Sequence, residues 1–212
     1  MTTLTLYAIT DAKPKRALGK QLRSLKLGKA WVVVGRNAPL EATPEALVAY
    51  DRVIRSIALD VRALLPFRFG STARDEDDLA TLLAPFAASI ERALARARDA
   101  VQFTLRVHGS PPKPRRTKTS KRKTGTAWLE ERREALRVHE IDPVTERTTR
   151  FVRDTRSERK ARGDHIATVY HLVPKKNVKK WWAAVEEGSR LLQGVTLTTS
   201  GPWPPYAFAE LP

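Results

Sequence analysis

Leu47, Tyr50, Ile54, Ile57 and Val61 recur every three or four residues, which places them on one face of a helix. Its start is marked by Thr43 as a capping hydroxyl, Pro44 at the first helical position and Glu45 near the positive end of the dipole. The face persists to about Arg62. On either side, Leu4–Ile9 and Ala30–Val34 have strand composition, and Leu64–Gly70 predicts a short extended edge that stops at glycine. Between the first two strands lies a basic stretch, Lys15–Leu27, with leucines at 18, 22 and 25. That spacing predicts a helix, giving the order β-α-β-α-β.

A second helical region opens at the acidic run Asp75–Asp78 and carries Leu79, Leu82, Leu83, Phe86, Ile90 and Leu94 on one side. Pro85 should kink or split it. Val101, Phe103, Leu105 and Val107 alternate, the pattern of a half-buried strand. Further on, the pattern predicts a helix over Thr126–Val138, another after Asp142–Pro143, and a strand over His165–Val173. A capped helix over Asn177–Leu192 and a strand over Val195–Ser200 follow. The fold class expected is α+β with two mixed domains. Residues 1–99 form the first; residues 100–212 form a ferredoxin-like second domain with inserted helices, closing with a tail over 201–212.

Charge changes this picture in one place. The chain of 212 residues has a formal net charge of +16, and Gly109–Gly125 holds Lys113, Arg115, Arg116, Lys118, Lys121, Arg122 and Lys123 with no acidic residue. Such a segment buries too little apolar surface to order itself, so 109–125 is expected to be a disordered basic insertion. It is a solvated tether or a phosphate-binding element, and it lacks aromatics for base stacking. A basic balance favours polyanions or an acidic protein partner. Cysteine is absent, which excludes disulfides and thiolate metal sites and fits a reducing compartment such as the cytoplasm. The first residues read as a strand rather than a signal peptide, and no apolar run approaches the ~18 residues of a membrane span.

Candidate chemistry is sparse. The four histidines, at 108, 139, 165 and 171, lack the i, i+4 spacing of a helical metal pair. Leu-Gly-Lys occurs twice, but a phosphate-binding loop needs glycine five positions before the Gly-Lys pair, where Pro14 and Arg23 stand. Neither a dinucleotide fingerprint nor a nucleophile elbow is present. The sequence gives no positive sign of catalysis or of a metal site.

Two aromatic clusters remain. Trp181 and Trp182 point about 100° apart on a helix, so both are not expected to be fully buried. They are core packing or a partner contact. The other cluster is Gly-Pro-Trp-Pro-Pro-Tyr-Ala-Phe at 201–208, where Gly201, Pro202, Trp203, Pro204, Pro205, Tyr206 and Phe208 combine a stiff path with large apolar area. This tail is expected to dock, either within the protein near Leu65–Phe69 and between its halves, or onto a partner.

The tail in its context, "LTTSGPWPPYAFAE", resembles the carboxyl-terminal signature of gas vesicle proteins of the GvpF/GvpL type. "ALLPFRFGS", containing Leu65, Pro66, Arg68, Phe69 and Gly70, is similar to a family segment following a long helix. "VQFTLRV", "GTAWLEERREAL" and "ATVYHLVPKKNVKKWW" match further segments in order. The resemblance spans nearly the whole chain. It implies an accessory protein for assembling gas vesicles, the gas-filled compartments that give cells buoyancy, without enzymatic activity and without a cofactor. It implies two α+β domains with the tail packing between them, and binding to the shell protein or other gas vesicle accessory proteins, in the cytoplasm; the oligomeric state stays open, with a monomer favoured. The competing function is that of a basic nucleic-acid-associated protein using residues 113–123.

Overall fold

The computed structural model describes residues 3–15, 22–36, 41–109, 137–159 and 163–209. They form two compact units, one of residues 1–102 with 202–212 and the other of residues 103–201. This division differs from the expected one in assigning 100–102 and 202–212 to the first unit. The physical reason is that the tail's hydrogen bonds run to Asp51 and Gln102.

The first unit is built on a sheet ordered β2-β3-β1-β4, from strands β1 (Leu4–Thr10), β2 (Leu22–Leu27), β3 (Ala30–Arg36) and β4 (Leu64–Pro66), with the short β5 (Thr72–Ala73) also pairing β1. β2 corrects the helix expected over Lys15–Leu27. Leu27 pairs Ala30 across a two-residue loop, and Gly28 takes a positive φ of 56° there. Glycine first in a two-residue hairpin loop matches the twist of paired strands, and the hairpin overrides the leucine spacing. Every residue of β1 is buried. A register shift between Leu6 and Ala8 changes the side-chain parity along the strand. Leu4, Leu6 and Ile9 therefore join one core, while Tyr7 and Ala8 join the other.

Helix α1 (Pro44–Ala58) starts as expected, with the Thr43 hydroxyl accepting from the Ala46 amide, and buries Tyr50, Ile54 and Ile57 with Tyr7, Ala8, Val33 and Leu64. The second core takes Leu79 and Leu83 of α2 (Glu76–Leu83), and Ile90 and Leu94 of α3 (Ala87–Ala97). Between α2 and α3 the turn Ala84–Phe86 contains Pro85, so proline splits the helical region.

The second unit holds a sheet ordered β7-β8-β6-β9, from β6 (Ala100–Gly109), β7 (Asp154–Glu158), β8 (His165–Pro174) and β9 (Val195–Trp203). With helices α4 (Asp142–Thr148) and α5 (Val178–Ser189), this strand order is the ferredoxin-like arrangement. β7 was not legible because its sequence, DTRSE, has no apolar residue; pairing along β8 defines it. α4 packs on α5 at Gly188, where a Cβ would stand 2.7 Å from the Val144 Cα and 2.9 Å from the Pro143 carbonyl oxygen. Asn177 does not cap α5 with its side chain; its amide donates to the Phe151 carbonyl. The insertion 109–125 beyond Gly109, and the helix expected over 126–138 up to residue 136, lie outside the described residues.

Candidate functional site

Proline directs the path of the tail. β9 runs on through Gly201 and Pro202 to Trp203, later than the strand end expected at Ser200. Pro202 is tolerated because β9 ends the sheet order, and an edge strand has no ladder donor to lose on its outer side. Gly201 has φ of 132°, a conformation that side-chain-bearing residues rarely adopt. Pro204 and Pro205 are buried, and a 3-10 turn over Tyr206–Phe208 closes the path with Phe208 only 3% exposed.

Within the first unit this turn lies against β4. The Tyr206 hydroxyl donates to Asp51 Oδ1 at 2.8 Å, and the Ala207 amide donates to the buried Gln102 Oε1 at 2.7 Å. Asp51 also pairs Arg55 one turn on, and the Arg55 guanidinium stands 4.4 Å from the centre of the half-buried Trp203 ring. Burial pushes the Tyr206 hydroxyl above the usual tyrosine range, and the hydrogen bond to the Asp51 carboxylate acts in the same direction. The tail thus forms a chain of contacts running Trp203, Arg55, Asp51, Tyr206.

Of the segment 65–70, Leu65 and Pro66 are buried, Arg68 is exposed, and Phe69 meets Tyr50 edge-on at 5.4 Å. Gly70 has φ of 83°. Tyr50 stacks on Tyr7 at 4.9 Å, and its hydroxyl lies 2.8 Å from the Leu6 carbonyl oxygen and 3.1 Å from that of Phe67. Burial, then the neighbouring Tyr7, raises its pKa.

The tryptophan pair divides. Trp181 has no exposed surface; it stacks on Phe103 at 4.1 Å and donates its indole N–H to His171 Nδ1 at 3.0 Å. Burial lowers the His171 pKa to about 4. Trp182 is 40% exposed and meets Phe103 and Trp181 edge-on. Of the two, Trp182 alone is exposed.

Sequence reasoning missed Asp51, Arg55 and Gln102 as tail contacts. Two signals were available. Asp51 and Arg55 are an i, i+4 ion pair, and Gln102 sits inside a strand whose neighbours are apolar. Among the described residues, no group of three or more His, Asp or Glu side chains could hold a metal ion.

The arrangement defines a two-unit α+β protein whose distinctive feature is a packed Pro-aromatic tail. Residues 4–210 match the sequence profile of the gas vesicle synthesis protein GvpL/GvpF family. The chain belongs to that family. Its structure is similar to crystal structures of the gas vesicle protein GvpF from Anabaena sp. PCC7120 and from Microcystis aeruginosa. Each has a TM-score of 0.75 at 16% identity; the match covers all of this chain and 98% and 100% of the respective relatives. At that identity the likeness shows the fold. No curated relative matches the sequence.

Proposed function

We propose that this protein is a non-enzymatic accessory factor in gas vesicle assembly that binds the vesicle shell protein or other gas vesicle accessory proteins. The observation that carries the reading is the family match over residues 4–210. The partly exposed Trp182 supports it as a place for apolar contact. In this reading the protein acts in the cytoplasm beside growing vesicles. Among the described residues no helix is long and apolar enough to cross a membrane. The tail residues Trp203, Tyr206 and Phe208 act as an internal clamp, because their contacts run to Arg55, Asp51 and the first unit's interior.

The test is co-precipitation of the full chain with shell protein over a rising salt series. Retention at high salt is expected, since apolar docking survives screening. Loss of binding at modest salt favours the second reading, polyanion association through the seven cations of 109–125. Deleting the gene in a vesicle-forming host should abolish or deform vesicles. Normal vesicles in the deletion strain would overturn the assembly role.

A further inference from the structure

In the second unit, the turn Thr149–Phe151 and one side of α5 enclose an open groove of about 490 Å³ lined by Arg150, Phe151, Lys180, Ala183, Ala184 and Glu187. This is the volume range of ligand and peptide pockets. Lys180, Ala183, Ala184 and Glu187 follow the i, i+3, i+4, i+7 spacing, so one helical stripe forms one wall. Its middle is two alanines, which leave room for another backbone to approach. Phe151 supplies the apolar wall opposite, with the Arg150 guanidinium 4.8 Å from its ring centre.

The charges are unequal. Glu187 is engaged by Arg147 at 3.4 Å. Among the described residues neither Lys180 nor Arg150 has an ion-pair partner. The groove therefore combines an apolar floor with two uncompensated cations. We propose that it docks an acidic amphipathic helix of a protein partner, with apolar side chains over Ala183, Ala184 and Phe151 and carboxylates beside Lys180 and Arg150. The net charge of +16 favours encounter with an acidic partner. A nucleic acid fits less well. Its phosphates gain nothing from the alanine floor and meet Glu187.

The inference goes beyond the assembly reading and does not rest on it, because its test uses no gas vesicle component. Fluorescence anisotropy of the full chain is measured with three labelled probes. One is a peptide of about 16 residues with Leu and Glu at helical spacing, roughly four turns. The second is the same peptide with Gln for Glu, and the third is an oligothymidylate. The Leu/Glu peptide is expected to bind saturably, roughly tenfold or more tighter than the Leu/Gln peptide. Lys180→Glu should weaken it by a similar factor, whereas Ala183→Trp should abolish binding by filling the floor. Ala183 is exposed on the helix, so the variant should keep its melting curve; if it does not, Ala183→Gln takes its place. Unchanged affinity in both variants, equal binding of the Leu/Gln peptide, or absence of saturable peptide binding overturns the proposal. So does a response to these variants by the oligothymidylate alone.

Discussion

Tyr50 places its hydroxyl where β1 shifts register, beside the carbonyl of Leu6. A bulge leaves backbone polar groups without their ladder partners, and a buried carbonyl left unpaired is costly. Tyr50→Phe should therefore destabilise the protein by about 1–3 kcal/mol in urea unfolding although the ring is preserved. A null effect would mean the carbonyl is satisfied otherwise. His171 makes a second residue-scale prediction. Its pKa falls from the usual 6.5 to about 4 on folding, because burial penalises the imidazolium. A depressed folded pKa means stability is fully present above about 6.5 and is lost as pH falls towards about 4. The loss should be on the order of 3 kcal/mol, with Trp181 fluorescence reporting it because Trp181 donates to His171. His171→Asn should flatten this acid limb. A variant with the same pH dependence as the parent would assign the limb to other groups.

At the scale of elements, Gly188 decides how closely α4 and α5 approach. Alanine is the better helix former by about 1 kcal/mol, yet its Cβ would meet the backbone of Val144 and Pro143. Gly188→Ala is expected to lower stability by about 1–3 kcal/mol, the cost of overpacking, and a rise in melting temperature would refute this. In the tail, Phe208 is buried whereas Trp203 is half-buried over Arg55. Phe208→Ala should cost about 3–5 kcal/mol and Trp203→Ala less, as thermal unfolding would show; the reverse order would make Trp203 the main anchor. Elements whose apolar residues keep one period were legible in the sequence: α1, β6, β8 and the helix split at Pro85. β2 was not, because leucines at 18, 22 and 25 imitate a helical face while the deciding signal was the Gly28 hairpin. β7 was not, because its existence depends on β8 rather than on its own composition. The tail's aromatic character was plain, but its partner Asp51 stands 155 positions away, and no local pattern joins the two.

For the whole molecule, charge and packing lead to separate behaviours. Replacing the seven cations of 109–125 with Ser or Gly should weaken heparin retention and flatten its salt dependence, since each phosphate contact releases counterions. The shell-protein association proposed for this chain should persist, and its disappearance would make the insertion the recognition element. The order of the chain has a different consequence. The first unit takes residues 1–102 and then 202–212, so all of the second is translated before the first can be finished. Until the ribosome has released Tyr206, Ala207 and Phe208, the buried Gln102 side chain lacks its backbone partner and β4 lacks the turn that lies against it. Domains commonly mature amino-terminal first during synthesis. Here the amino-terminal half must wait, and a free chain truncated after Gly201 should already protect Trp181 from quenchers while leaving the first unit open to protease.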